Sequence, residues 1–277
     1  MRLATIRTAT GTRAARVEGE ALLPLDHDDV GALLTALGMD GAGEAPAAGD
    51  PVPVTEAEFA PVVTRPSKIL CVGLNYRSHI LEMGHQLPEH PTLFAKFADA
   101  LIGAHDDLVL PASSDQVDWE AELGVIIGAP LRRATAEQAR AAIAGYTVVN
   151  DVSVRDWQWR SSQWLQGKTF EHCTPIGPFL VTPEEVDHAR DLEVRCEVDG
   201  VVMQRSRTRD LLFDPAAIAA YISQFTTLRP GDVIATGTPG GVGAARDPQV
   251  FLKPGQAVLT SIEGIGACRT VCREEKE

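Results

Sequence analysis

The chain has 277 residues, is 44% hydrophobic and carries a formal net charge of -13. That is enough to bury a large core, as one main domain plus a smaller piece. The acidic balance argues against nucleic acid and anionic membranes as partners.

The N-terminus alternates as strands over Arg2 to Thr8 and Arg13 to Glu18 around a turn at Gly11, then over Ala21 to Pro24. Asp28 or Asp29 caps a helix with Val30, Leu33, Leu34 and Leu37 on one face and Gly38 as its stop. Residues 39–53 shift to Ala, Gly and Pro and read as a linker. The expected division is a small N-terminal domain and linker over 1–64 and a main domain over 65–277.

The main domain opens with a strand over Lys68 to Gly73 and a helix over Asn75 to Met83, followed by the breakers Gly84, Pro88 and Pro91. Val117 to Gly128 reads as one central strand. Thr135, with Gln138 in the capping-box position, starts a helix that Gly145 ends. Gly145 to Asp151 is the next apolar run, and Asp156 to Gln166, rich in Trp, Gln and Arg, shows no clear periodicity. Leu192 to Val198 and Val201 to Met203 flank an Asp199-Gly200 hairpin turn. Asp214 and Pro215 start a helix to about Phe225. Arg229 to Asp232 turns into a strand over Val233 to Thr236, and Gln256 to Glu263 alternates again. Strands outnumber helices and occur mostly as hairpins. The expected class is α+β, mainly β and largely antiparallel, with helices packed outside.

No apolar run is long enough to span a bilayer, and no signal-peptide pattern is expected from Met1 to Thr5. The cysteines, Cys71, Cys173, Cys196, Cys268 and Cys272, are scattered without a C-x-x-C pair. They read as reduced core thiols of a cytoplasmic protein, not as a disulfide framework or zinc site.

Side chains alternate along a strand, so Glu120 and Glu122 share one face. Two carboxylates so close repel, and a hard cation between them relieves the repulsion. Asp151 ends the following run. If the two strands are neighbours, Glu120, Glu122 and Asp151 converge on one ion, and an all-oxygen set suits Mg²⁺, Mn²⁺ or Ca²⁺. On alternation alone, a solvated strand face accounts for the glutamates more simply.

His79 and Glu82, at i, i+3 on a helix, form a candidate general base ahead of a loop with the breakers of a mobile lid. An incidental surface pair is the competing reading. Lys168, among small and apolar residues, is a candidate for stabilising an oxyanion, or a surface lysine. Arg155 and Gln158 follow Asp151 at i+4 and i+7; Arg155 is placed to clamp a substrate carboxylate, or to pair with Asp151 or Asp156. The run Thr236-Gly237-Thr238-Pro239-Gly240-Gly241-Val242-Gly243 matches neither a Walker loop nor G-x-G-x-x-G. It presents backbone amides and the Thr238 hydroxyl to a carboxylate, or is a tight glycine turn.

Six of these pieces, in order, resemble the fumarylacetoacetate hydrolase family. They are Lys68 through Asn75-Tyr76-x-x-His79-x-x-Glu82; Asp118-Trp119-Glu120-Ala121-Glu122-Leu123; Asn150-Asp151-x-x-x-Arg155-Asp156-Trp157; Gln166-Gly167-Lys168-Thr169-Phe170; Pro175-x-Gly177-Pro178; and Thr236-Gly237-Thr238-Pro239-x-Gly241-Val242-Gly243. The likeness runs from about Pro66 to Ile265; nothing before Thr64 contributes to it. It implies a mixed β-sandwich roll as catalytic domain, a small β-rich N-terminal domain and a homodimer. It also implies one Mg²⁺ or Mn²⁺ per subunit on Glu120, Glu122 and Asp151. His79 and Glu82 would lie on a lid and activate water, with Lys168 and Gln158 as further catalytic groups. Arg155, Thr238 and Tyr76 would contact substrate. The run Trp157 to Trp164 resembles the oxaloacetate-tautomerase-like and dienedioate-isomerase-like branch more than the acylpyruvate hydrolases.

Such a site suits a small 2-oxo or diketo acid whose enolate an ion stabilises. Hydrolysis of a C–C bond in an acylpyruvate, decarboxylation of oxaloacetate, and isomerisation or tautomerisation share that enolate. The water-activating set favours hydrolysis here, with isomerase, tautomerase or decarboxylase as the alternative. A catalytically silent metal-binding scaffold is the reading from another class.

Overall fold

The computed structural model describes residues 1–276. Strands β1 (Arg2–Thr8), β2 (Gly11–Glu18) and β3 (Ala21–Pro24) form the expected meander. Asp29 caps α1 (Val30–Glu44), accepting the Ala32 amide at 2.7 Å. Gly38 does not stop this helix: at φ 65° it only breaks the helical backbone, and Leu37 beside it is 42% exposed. β4 (Val52–Pro53) then pairs with β3 inside the segment read as a linker.

Strand β5 (Ile69–Gly73) leads into α2 (Arg77–Glu82), shorter than the expected helix by two residues at its start and one at its end. Next come β6 (Thr92–Lys96), β7 (Leu101–Ile102) and β8 (Leu108–Leu110). The expected central strand is two, β9 (Val117–Asp118) and β10 (Ala121–Ile127). Side chains interrupt it. Asp118 Oδ1 accepts the Trp119 amide at 2.8 Å, and Asn150 Oδ1 accepts the Glu120 amide at 2.9 Å. Those amides are thereby satisfied without a neighbouring strand, as buried amides must be.

The capping box of Thr135 and Gln138 starts α3 (Ala136–Ala142), which ends before Gly145; that glycine lies within β11 (Ile143–Asn150). β12 (Ser153–Val154) follows, then α4 (Arg155–Gln158), α5 (Leu165–Lys168) and β13 (Thr174–Val181). The hairpin β14 (Glu193–Val198) and β15 (Val201–Arg207) turns through Asp199 and Gly200 at φ 50° and 77°. Asp214 caps α6 (Pro215–Ser223), and β16 (Val233–Ala235), β17 (Ala257–Ile262) and β18 (Gly266–Glu274) complete the chain.

An eleven-stranded sheet runs β4-β3-β2-β1-β13-β11-β10-β16-β5-β6, with β7 on β13. A five-stranded sheet runs β15-β14-β17-β18-β8. Leu123, Val125 and Val148 of the large sheet share one buried cluster with Val194, Cys196 and Val258 of the small one. Ile126 points the other way, into a cluster with Val30, Leu33 and Leu34 of α1. A strand buried on both faces reads as a continuous apolar run, and β10 is one. The fold is α+β and mainly β, as expected. All five cysteines are buried and free.

Candidate metal centre and active site

Strand pairing builds the centre. β10 and β11 are antiparallel neighbours with Ala121 opposite Asn150, which sets Glu120 and Glu122 beside Asp151. Ligand-capable oxygens of the three carboxylates lie within 4.8 Å of one another. All three residues are buried.

Buried charges demand partners, and here cations ring the acids. Lys168 Nζ donates to Glu120 Oε2 and Asp151 Oδ2, both at 2.8 Å. Lys96 Nζ donates to Asp151 Oδ1 at 2.7 Å and to the Val152 carbonyl at 3.1 Å. Arg155 pairs with Glu120 Oε1 at 2.6 Å and Asp118 Oδ2 at 2.8 Å, and donates to Gln158 Oε1 at 2.9 Å. Glu122 has no cationic partner among the described residues; its Oε2 accepts the Gly237 amide at 2.7 Å. Gly237 sits at φ 103°, where a side chain would be strained.

The electrostatics follow this inventory. Burial, reinforced by Asp151 and Glu120, raises the Glu122 carboxyl well above the usual carboxylate range. Burial also raises Asp151, but Lys168 and Lys96 outweigh it and hold that carboxyl at about 2. Burial disfavours the charged forms of Lys168 and Lys96, yet the neighbouring carboxylates prevail and both stay firmly protonated. Three carboxyl groups, with no nitrogen or sulfur among them, fit a hard divalent ion such as Mg²⁺ or Mn²⁺. Glu122, unneutralised by the surrounding cations, is the carboxylate on which such an ion has most effect.

A cavity of about 240 Å³ opens over this floor, with Glu120, Glu122, Arg155, Gln158, Lys168 and Thr238 on its lining. Phe94, Trp159 and Trp164 supply apolar walls. His79 reaches the cavity from α2, and burial lowers its pKa below the ordinary histidine value. Glu82 is exposed. Both lie against Gly240: a methyl there would sit 3.2 Å from His79 Nδ1 and 3.4 Å from Glu82 Oε2.

Thr238 donates its hydroxyl proton to the Ala121 carbonyl at 3.0 Å and accepts from Gln204 at 2.8 Å. Tyr76 is fully buried and is not on the cavity lining; its hydroxyl has no partner among the described residues, and its pKa is raised by burial and then by Glu122. Of the expected ion pairs of Arg155, neither forms; its partners are Asp118 and Glu120.

Lys96 was not singled out from the sequence, and Asp118 appeared there only as a motif residue without a role. Lys96, 3% exposed, closes β6 and grips Asp151. Its signal was a lysine ending the apolar run Leu93-Phe94-Ala95. Asp118 is 0% exposed and also accepts the Gly243 and Ala244 amides, which ties the glycine run to the centre.

Two packed sheets around a buried three-carboxylate centre under a small cavity define a β-rich enzyme scaffold with a divalent-metal type of site. The family described as "Fumarylacetoacetate (FAA) hydrolase C-terminal" matches residues 68–273, and the chain belongs to the fumarylacetoacetate hydrolase family. "Oxaloacetate tautomerase FAHD2A, mitochondrial" of Homo sapiens is 47% identical over 217 residues, 78% of this chain and 69% of the relative. Among solved structures, a fumarylacetoacetate hydrolase from psychrophilic Exiguobacterium antarcticum superposes with a TM-score of 0.87 at 31% identity, covering 99% of this chain and 100% of that one. A 5-carboxymethyl-2-hydroxymuconate delta-isomerase from Mycobacterium smegmatis does so with a TM-score of 0.83 at 34% identity, covering both chains fully.

The cytoplasmic expectation is corrected by the human relative, whose name places it in mitochondria. Free thiols and acidic charge, on which that expectation rested, do not tell one reducing compartment from another. No helix among the described residues is long and apolar enough to cross a membrane.

Proposed function

We propose that the chain is a tautomerase of a small 2-oxo dicarboxylate, with oxaloacetate as substrate. The observation that carries this reading is the cavity. At about 240 Å³ it lies below the range of roughly 300–1,000 Å³ usual for drug-sized ligands. Within that space it holds a floor of carboxylates interleaved with Arg155 and Lys168, and one imidazole. The likeness to the human oxaloacetate tautomerase supports the same substrate.

A divalent ion on Glu120, Glu122 and Asp151 would supply positive charge to the 2-oxo oxygen and its neighbour. The chain's own groups do the rest. Arg155, whose Nη2 has no hydrogen-bond partner among the described residues, takes a substrate carboxylate, with Thr238 on the lining to contact another part of the substrate and Tyr76 buried off the lining. The lowered pKa keeps His79 neutral near pH 7, so it can accept a proton from the carbon next to the carbonyl. The Lys168 ammonium stabilises negative charge on the enolate oxygen. Gln158 and Glu82 orient the reacting groups. Returning the proton to oxygen or to carbon completes the enol or keto form.

Hydrolysis of a C–C bond in an acylpyruvate is the second reading. The shared seat of His79 and Glu82 on Gly240 favours it, since a paired imidazole and carboxylate suit water activation. One Mg²⁺ or Mn²⁺ per subunit, a homodimer, and a boundary near residue 64 belong to the same proposal; ion calorimetry, sedimentation and limited proteolysis test them.

The deciding experiment follows enol oxaloacetate by ultraviolet absorbance with Mg²⁺ present, beside pyruvate release from oxaloacetate and from acylpyruvates. Accelerated loss of the enol without loss of carbon is expected. Efficient acylpyruvate cleavage with no effect on the enol would replace this reading by the hydrolase. No turnover in any arm would leave a silent scaffold.

A further inference from the structure

The chain is acidic overall, with a formal net charge of -13, yet one pocket away from the metal centre is basic. It encloses about 400 Å³ and is lined by Arg77, Arg140, Arg190, Arg209 and Tyr146, with Asp214 as its lining carboxylate. The arginine charges are weakly spent. Arg140 stands 3.7 Å from Asp214 and Arg190 4.0 Å from Asp187, at solvent-exposed positions where such pairs are worth little. Arg209 meets Asp191 at 3.2 Å, an acid it shares with Arg207. Arg77 donates to the carbonyls of Leu211 at 2.6 Å and Leu212 at 3.1 Å and has no carboxylate partner among the described residues. Tyr146 is 1% exposed and lines the pocket.

The position of these residues matters as much as their charge. Arg77 opens α2, two residues before His79. Tyr146 lies on β11, the strand that delivers Asp151. An occupant touching both would contact the helix that carries the proposed base and the strand that leads to the metal centre. Guanidinium forks match planar carboxylates and phosphate oxygens, and a tyrosine hydroxyl on the lining can add a donor.

We propose that this pocket is a second binding site, for a small dianion, and that its occupation steadies α2. The proposal concerns binding and helix opening, so it stands or falls apart from the reaction assigned to the cavity.

The test uses the full chain without divalent ions, titrated by calorimetry with inorganic phosphate and, separately, with succinate. The variant carries Arg140→Ala and Arg209→Ala, both outside the proposed machinery. Saturable binding to the wild type is expected, at least tenfold weaker in the variant. Amide exchange across Arg77–Glu82 should slow on binding in the wild type only. The tighter of the two probes identifies the anion as phosphate or carboxylate. Turnover without added anion should be equal in both proteins. If the double substitution lowers the melting temperature, the exposed single change Arg209→Gln serves the same comparison. Absence of saturable binding, or equal affinity in wild type and variant, overturns the proposal.

Discussion

The floor of the cavity and the helix above it are built on opposite terms. On the floor, Glu120, Asp151, Lys96, Lys168 and Arg155 are all buried, and each is tied to at least one oppositely charged neighbour. On α2, Arg77 is tied to backbone carbonyls and Ser78 to Asp210, and Ile80 is its one buried side chain among the described residues. Farther along, Leu81, Met83 and Leu87 are exposed at 59%, 38% and 42%, and no hydrogen bond joins His79 to Glu82 among the described residues. A site that must stabilise charge needs fixed dipoles, and a group that must admit substrate needs few contacts. The difference assigns preorganisation to the floor and access to the helix.

The strongest way to break the comparison is to unbalance the floor. Asp151→Asn leaves Lys96 buried with no carboxylate partner among the described residues, while Lys168 keeps only Glu120 at 2.8 Å. Removing one partner of a buried pair costs about 3–5 kcal/mol. Chemical denaturation should report a loss of that order, calorimetry should find no Mg²⁺ binding, and enol turnover should fall to background. A variant as stable as the wild type would show that the lysines are not held by charge.

A change on the helix should leave the floor intact. His79→Ala is expected to cost about 10²- to 10⁴-fold in enol turnover, the usual effect of a general acid or base. Mg²⁺ affinity and melting temperature should stay as they are, because His79 ligates nothing and is only half-buried. The acid limb of the wild-type pH–rate profile should fall below the ordinary histidine value, since burial lowers this imidazole. Equal losses in tautomerisation, decarboxylation and hydrolysis would mean that α2 acts by closing the site.

A gentler probe sits where the two regions meet. Gly240→Ala puts a methyl 3.2 Å from His79 Nδ1 and 3.4 Å from Glu82 Oε2, so the helix must shift by a few tenths of an ångström. Displacement of this size should reduce turnover by about tenfold or less, against the roughly 10² expected for a full ångström. Stability should change little, because the side chains that meet the new methyl are an exposed Glu82 and a half-buried His79. Unaltered turnover would place the dyad away from the reacting atoms.

The same contrast explains what the sequence disclosed. The carboxylate floor was legible because strand alternation and adjacency place Glu120, Glu122 and Asp151 together with little tertiary information. β13 was not, because Pro175 and Pro178 in Thr174–Val181 argue locally against a strand in mid-sheet. β6 followed three breakers and was lost among them. Lys96 and Asp118 act across 55 and 125 residues of sequence, through Asp151 and Gly243, and no local pattern encodes such contacts. The split of β9 from β10 also depends on a distant side chain, that of Asn150. The helix was found but drawn too long, because at its start Asn75 bonds to Phe213 and Thr236 instead of joining the helix.

An effect confined to stability and pH bears on the floor itself. Glu122 is the carboxylate there without a cation, and burial raises its pKa well above the ordinary value of 4.5. Its folded form therefore binds more protons than its unfolded form between 4.5 and the raised pKa, and stability must fall as pH rises through that window. Asp151 works the other way, but its carboxyl, held at about 2, matters only in stronger acid. Glu122→Gln keeps an acceptor for the Gly237 amide while removing the charge. Without metal, wild type and variant should melt together near pH 4.5, and the wild type should fall behind as pH rises, by at most about 1.4 kcal/mol per pH unit. Mg²⁺ should restore the wild type alone, because ion binding favours the ionised carboxylate. Parallel melting curves across the whole range would mean that Glu122 is already charged and that the surrounding lysines suffice to balance the floor.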